Sequence, residues 1–417
     1  MLREGKIPER YRNTDLGIIP NDWNLKEFEE VLKVIDGDRG DNYPSNDELH
    51  NSGYCLFLSA KNVTKEGFKF SECIFITKKK DDSLGKGKLA KGDVVLTTRG
   101  TVGNVAFFDD FVPFENIRIN SGMVILRNED DNLDNNYLYS FFQSHLLQNQ
   151  IDRVVFGSAQ PQLTVKGINK FKIPLPPTIE EQKAIAQALS DVDATIAELD
   201  RLITKKRNIK QGAMQQLLTG EKRLPGFSGE WEVKTFRDVS FVNQGLQIAI
   251  EKRLKQPAPN SKKYITIQFL NNGKGTEYIN SYSSSVCCNE NDVLMTRTGN
   301  TGIVVSGVNG VFHNNFFKIN FDRKAIDKNY LIGYLNLDKT QKLILAKAGT
   351  STIPDLNHND FYSIPIPLPT LSEQKAIAQV LSDMDAEIEA LEQKCDKYKA
   401  IKQGMMQELL TGRTRLV

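Results

Sequence analysis

Residues 181–220 read EQKAIAQALSDVDATIAELDRLITKKRNIKQGAMQQLLTG, and residues 373–412 read EQKAIAQVLSDMDAEIEALEQKCDKYKAIKQGMMQELLTG. Aligned without a gap, about 25 of 40 positions are identical, a long-period repeat that constrains the fold more than any single residue. Each copy follows a proline-rich stretch that cannot be helical, IPLPP from Ile173 and IPIPLP from Ile364. Thr178 with Glu181, and Thr370 with Glu373, fit the capping box, so helices are predicted to start near Thr178 and Thr370. Gly220 and Gly412 stand where left-handed C-cap glycines belong. At about 1.5 Å per residue these are rods of about 60 Å, which need a partner along their length.

Periodicity supplies the partner. Ile377, Leu381, Met384, Ile388, Leu391, Cys395 and Tyr398 alternate at spacings of four and three, and Ile185, Leu189, Val192, Ile196, Leu199 and Ile203 repeat the phase. This is a coiled-coil seam, and pairing the two copies antiparallel satisfies both. Gly212 and Gly404 interrupt good helix at matching places, and close approach of the two backbones is the expected compensation. Trp23, Lys26, Phe28 and Val31 reappear as Trp231, Lys234, Phe236 and Val239, so the repeat unit is a Trp start, a globular segment, a proline stretch and a long helix. The expected architecture is α+β: two mixed α/β heads separated by two long antiparallel coiled-coil helices, with a pseudo-twofold axis that places the heads at opposite ends of a rod. The boundaries read 1–175 for the first head, 176–222 for the first helix, 223–367 for the second head and 368–417 for the second helix.

Strand-like runs in the heads are 54–59, 94–98 and 123–127, then 264–269, 293–297 and 316–321; helices are expected over 136–155 and 328–348. The clearest match between heads sets Gly92–Gly103 against Asn291–Gly302, each an apolar strand running into a Gly-rich turn that carries Thr and Arg. Glycine lets a backbone approach phosphate and an arginine fork can read a guanine edge, so Thr98, Arg99, Thr101, Arg297, Thr298 and Asn300 are candidate DNA contacts. Polar, glycine-initiated loops before the proline stretches add Ser158, Gln160, Gln162, Thr350 and Ser351. Arg118 and Asn120, with Asn314 and Asn315, complete the DNA-contacting set. The lysines Lys78, Lys79, Lys80, Lys86, Lys88 and Lys91 form the most basic stretch of the first head.

Composition narrows the function classes. With 40% hydrophobic and 25% charged residues the chain is ordinary globular material, no stretch approaches a membrane span, and the start lacks a signal peptide's apolar run, so a cytoplasmic protein is expected. Five cysteines without CxxC spacing and four scattered histidines signal neither a disulfide framework nor a zinc site. Net charge is only +2, so any DNA contact must come from local patches. The chain has no Asn- or Asp-Pro-Pro-aromatic motif for a flipped adenine and no phosphate-binding G-x-x-x-x-G-K-[ST], so no catalysis is expected from it alone.

The strand with its Gly turn, the polar Gly loop, IPLPP or IPIPLP, then EQKAIA and a capped coiled-coil helix, all twice in one chain, resembles the specificity subunit of type I restriction-modification systems. The resemblance covers essentially the whole chain. It implies that each head is a target-recognition domain reading half of a bipartite double-stranded DNA site. The helices would set the gap between halves and hold two methyltransferase subunits, with restriction subunits joining through the complex. Gln182, Ile185, Leu189, Gly212 and Leu217, with Gln374, Ile377, Leu381, Gly404 and Leu409, are the expected spacer and partner-docking residues. The chain itself would bind no cofactor or metal; S-adenosylmethionine, ATP and Mg²⁺ would belong to its partners. A coiled-coil scaffold without a DNA role, and a specificity subunit of a methylation-only system, remain the alternatives.

Overall fold

A computed structural model describes residues 9–155, 162–272, 276–349 and 354–416. Its longest elements are the two expected helices, Ile179–Leu218 and Leu371–Leu409. Each begins one residue after its threonine cap, whose Oγ1 accepts from the backbone N–H of Glu181 (3.2 Å) or Glu373 (3.4 Å). Each is followed by a glycine in the left-handed region, Gly220 at φ 75° and Gly412 at φ 65°. No helix among the described residues is long and apolar enough to cross a membrane.

The chain forms two compact units, Met1–Leu199 with Lys394–Val417, and Asp200–Gln393. Each therefore takes one head and part of both long helices, where the sequence suggested separate helical segments. In the first unit Ile185, Ala186 and Leu189 share a core with Met406, Leu409 and Leu410. In the second, Met214, Leu217 and Leu218 share one with Ile377, Ala378 and Leu381. The start of one helix thus meets the end of the other, which is antiparallel pairing within each unit. One ion pair is repeated as well: Lys402 with Asp193 (2.6 Å) in the first unit, Lys210 with Asp385 in the second. All thirteen predicted seam positions are buried or half-buried.

Gly212 and Gly404 correct one expectation. Both are exposed, and a Cβ added to either meets nothing within 4 Å, so no backbone approaches them.

Each head is built on an antiparallel four-stranded sheet. In the first the order is Val105–Phe107, Val94–Thr97, Met123–Asn128, Leu32–Asp36; in the second it is Val304–Val305, Val293–Thr296, Phe316–Phe321, Ser240–Gln244. A second small sheet contains a parallel pair in both, Cys55–Phe57 with Ile117–Arg118 and Lys262–Ile265 with Gly310–Phe312. The proline stretches are strands. Lys172–Leu175 pairs with Asn24–Glu27 and Pro365–Leu368 with Glu232–Thr235, two-stranded ribbons in which proline's missing N–H is tolerated. The repeated Trp start and the repeated proline stretch are therefore one structural element.

Two readings of the heads need correction. Each long head helix is broken in two, Asn135–Phe142 then His145–Val155, and Lys328–Leu335 then Asp338–Ala348. At the breaks Ser144 Oγ accepts from Leu146 N–H (3.2 Å), and Gln341 Nε2 donates to the Leu335 carbonyl (2.6 Å). The run from Tyr264 is a strand only to Ile265, and Ile267–Asn272 is helical.

Candidate nucleic-acid interface

At one end of each four-stranded sheet the same loops converge. In the first head, Thr97 donates its N–H to the Asn104 carbonyl (2.9 Å) and its Oγ1 accepts from Asn104 N–H (2.9 Å), closing the turn Thr98–Gly103. Thr98 N–H reaches the Gly122 carbonyl (2.8 Å), and the Thr98 carbonyl accepts from Leu163 N–H (3.0 Å). Thr296 and Ile303 repeat the turn in the second head, again at 2.9 Å for both bonds. There Arg297 N–H donates to the Asn315 carbonyl (2.7 Å), and the Arg297 carbonyl accepts from Leu356 N–H (2.8 Å). The glycines that start the third loop, Gly37 and Gly245, press against Asn120 and His313: a Cβ on either would lie 2.2–2.3 Å from a carbonyl oxygen. Only glycine fits there.

Arg99 is exposed, and its Nη2 and Nε donate to the Gln162 side-chain oxygen at 3.0 and 3.3 Å with the amide turned to face them. Arg297 is held quite differently. Its Nη2 donates to Asp355 (2.9 Å), its Nε to the Leu356 carbonyl (3.3 Å), and its guanidinium lies 5.4 Å from the Phe317 ring centre. Thr298 Oγ1 donates to Asp355 (2.5 Å). Thr101 and Asn300 are exposed at the turn tips, and their carbonyls accept from Thr97 Oγ1 and Thr296 Oγ1. Asn120 Oδ1 accepts from Gly122 N–H (2.8 Å), Asn314 Nδ2 donates to Gln247 (3.0 Å), and Asn315 N–H donates to His313 Nδ1 (3.1 Å). Burial lowers the His313 pKa below the ordinary histidine value, which keeps that acceptor neutral.

The structure thus gathers Arg99, Thr101, Asn120 and Gln162 in one head and Arg297, Thr298, Asn300, Asn314 and Asn315 in the other. Two expected contacts are not available. Arg118 is buried, with Nε on Asp81, Nη2 on the Asp81 carbonyl (2.8 Å) and Nη1 on the Lys86 carbonyl (2.6 Å), so it is a structural arginine. Thr98 is 2% exposed and contributes backbone only. Ser158, Gln160, Thr350 and Ser351 lie outside the described residues. Of the lysine group, Lys80 pairs with Glu48, Lys88 with Asp81, and Lys91 lies over Phe108. Arg39 and Gln247 join the loops without having been anticipated, the signal being Gly37 and Gly245 at the same distance from Trp23 and Trp231; Asp355 belongs to the polar loop before the second proline stretch and precedes Leu356 as Gln162 precedes Leu163.

Eight of the ten expected docking residues are turned inward, Gly212 and Gly404 being the exposed two. Gln182 is buried, accepting from Asp134 N–H (2.9 Å) and donating to the Asn132 carbonyl (2.9 Å); Gln374 does the same with Asp327 N–H (2.9 Å) and the Ala325 carbonyl (3.0 Å). Each glutamine ties its long helix to the cap of a head helix. Ile185, Leu189, Leu217, Ile377, Leu381 and Leu409 lie in the two cores, so none presents a free surface. Beside them a clasp occurs twice. Arg415 donates to buried Glu181 (Nη2–Oε2 2.7 Å) and to Asp22 (3.0 Å), with Trp23 against it; Arg223 donates to buried Glu373 (Nη2–Oε2 2.6 Å), with Trp231 against it. The glutamates of the expected capping boxes are spent on these clasps.

The type I restriction modification DNA specificity domain model matches residues 20–210 and 228–400. Among relatives, the putative type I restriction enzyme MjaX specificity subunit of Methanocaldococcus jannaschii is 25% identical over 98% of this chain and 97% of its own length. The MjaVIII specificity subunit of the same organism is 26% identical over 95% and 94%. In fold, the chain is similar to one from a type I R-M system solved for its complex assembly and conformational transition, with a TM-score of 0.65 at 17% identity over 95% of this chain and 99% of that one. It is also similar to the type I S subunit from M. genitalium, with a TM-score of 0.54 at 14% identity over 97% of both. A sequence that carries the same capped helix, proline strand and Gly-turn head twice, and that the family model covers in both copies, belongs to the type I restriction modification DNA specificity family.

Proposed function

We propose that this chain is the non-catalytic reader of a two-part DNA site, each head taking one half, and that it docks two adenine-N6 methyltransferase subunits, through which a restriction subunit joins. The carrying observation is the loop cluster built twice by the same backbone hydrogen bonds yet furnished with different side chains, Arg99 and Gln162 in one head and Thr298 and Asp355 in the other. A shared frame with divergent contacts suits two unlike half-sites. The relatives named as specificity subunits across nearly their full length support the same reading. S-adenosylmethionine would bind the methyltransferase subunits, and ATP and Mg²⁺ the restriction subunit, all in the cytoplasm.

One half-site alone gives little selectivity, whereas two add their discrimination at about 1–3 kcal/mol per mismatched pair. Mapping modified adenines in cells that express this chain with its methyltransferase subunit should give one bipartite motif with an unspecified gap. Inserting four residues within 195–203 lengthens a helix by about 6 Å and should widen that gap by about two base pairs, leaving both half-sites unchanged. An altered half-site at constant gap would refute the spacer role. Stoichiometric methyl transfer by the purified chain alone would refute the non-catalytic one.

A further inference from the structure

The isolated bridges Arg99 to Gln162 and Thr298 to Asp355 occupy one structural position in the two heads, since each joins the second residue of the shared turn to the residue before Leu163 or Leu356. What that position offers to solvent differs in sign. In the first head Gln162 engages the Nε and Nη2 side of Arg99, which leaves the Nη1/Nη2 edge of an exposed guanidinium without a partner among the described residues. In the second head the position ends in a carboxylate. Asp355 is 49% exposed, and Arg297 both neutralises it and holds it in place. Its Oδ1 accepts from Thr298 and lies 2.8 Å from Arg297 Nη2, and its Oδ2 accepts from that same nitrogen, which among the described residues leaves an acceptor site on Oδ2. Arg297 has little left to offer a ligand, being 16% exposed, with Nε and Nη2 already used.

We propose that this shared position is a specificity determinant read with opposite polarity in the two heads: Arg99 donates to the O6 and N7 acceptors of a guanine, and Asp355 accepts from the exocyclic amino group of a cytosine or adenine. The inference rests on the reading of the chain as a two-headed DNA reader and goes beyond it by naming one base-selecting residue in each head. Arg297, conspicuous in the sequence, becomes the positioning residue for Asp355. The chemistry follows from the major-groove pattern, in which guanine presents two acceptors to an arginine fork and an amino group presents a donor to a carboxylate. A carboxylate left unpaired would be repelled by phosphate, and the ion pair with Arg297 removes that obstacle.

The test uses the chain assembled with its methyltransferase subunit, with modified bases mapped across a genome for wild type, Arg99→Gln and Asp355→Asn. Arg99→Gln should relax a guanine position in one half-site, cutting discrimination there by about tenfold to a hundredfold, with the other half-site untouched. Asp355→Asn replaces a carboxylate oxygen with a donor and should alter a cytosine or adenine position in the other half-site only. Thermal melting and selection of bound sequences from a random DNA pool run alongside. Wild-type motifs from both variants at normal methylation overturn the assignment and leave the two-headed reader standing. Equal weakening at both half-sites, or lowered melting with unchanged sequence preference, makes the two residues structural and also overturns it. If the wild-type assembly selects no bipartite site, the underlying reading fails instead.

Discussion

Replacing Arg415 with methionine should break the first clasp and destabilise the first unit by about 3 kcal/mol. Glu181 has a side chain only 1% exposed, and Arg415 supplies both of its oxygens with charge-assisted hydrogen bonds. Removing one partner from a buried pair costs roughly 3–5 kcal/mol because the remaining charge is stranded. The lower end applies here, since 33% of the Arg415 side chain is exposed and water can replace part of what it supplies. Methionine keeps the apolar stem against Trp23, so the loss is electrostatic rather than a cavity. The chain has two tryptophans, Trp23 and Trp231, one beside each clasp, so urea unfolding followed by fluorescence in a Trp231→Phe background reports on Trp23. Adding Glu181→Met should recover most of the loss by exchanging an ion pair for an apolar contact. A change below about 1 kcal/mol, or a double variant as weak as the single, would refute the stranded-charge account.

The four glycines within and just after the long helices should separate into two classes. Gly212→Ala and Gly404→Ala should each stabilise by up to about 1 kcal/mol, whereas Gly220→Ala and Gly412→Ala should destabilise, because both have positive φ and a Cβ would meet Trp231 or Pro20; thermal melts of the single variants decide it. Arg297→Ala should lower the melting temperature of the second unit by removing three contacts around Asp355 and Phe317, while Arg99→Ala should leave melting unchanged and weaken DNA binding. Burial alone would raise the Asp81 pKa, but hydrogen bonds from Lys88 and Arg118 outweigh it and hold the carboxyl below its usual range. With the folded value depressed, this stabilisation is present above the unfolded value of about 3.9 and lost as pH falls through the folded one, so Asp81→Asn should flatten acid unfolding below about pH 4. His313 has a pKa lowered through burial, so its contribution to stability is present above the unfolded value of about 6.5 and fades as pH falls, and His313→Asn should remove that slope from urea unfolding measured over about pH 5–7.

The parts of the fold that repeat were legible because repetition marks residues under the same physical constraint. Thr178 and Thr370 cap as expected, Gly220 and Gly412 terminate as expected, and the four-three spacing identified the buried seam. What failed was partner choice. Glu181 carries the capping-box spacing, yet its carboxylate is taken by Arg415, a residue 234 positions away that no local pattern could nominate. Gln182 and Gln374 look like surface glutamines of a docking helix, and only tertiary structure shows them closing the caps at Asp134 and Asp327. Within the interface the Gly turn was visible in the sequence, but Arg118 and Arg99 differ only in environment: the one faces Asp81 inside the head, the other an amide at the surface.

The two clasps also explain why a duplicated sequence folds into units that are not its two sequential halves. In the second unit the parts occur in the order helix end, Gly220, Arg223, Trp231, head, proline strand, Glu373, helix start. In the first unit the same parts run from Trp23 through the head and proline strand to Glu181 and the helix start, with the helix end, Gly412 and Arg415 arriving from the far terminus. The first unit is therefore a circular permutation of the second. The contact made covalently short in one, Gly220 to Trp231, is made through space in the other, where Gly412 abuts Pro20 and Trp23 and Tyr11 Oη donates to the Gly412 carbonyl (3.3 Å). Closing that contact without a peptide link has an entropic cost that the linked copy avoids. The first unit meets it with bonds that join the termini directly: Arg415 to Asp22 as well as to Glu181, where Arg223 bonds its own loop at Gly229 and Ser228. The conserved spacing from C-cap glycine to arginine, identical in TGEKR and TGRTR, is thus required by the glutamate each arginine must reach rather than by the chain that follows it.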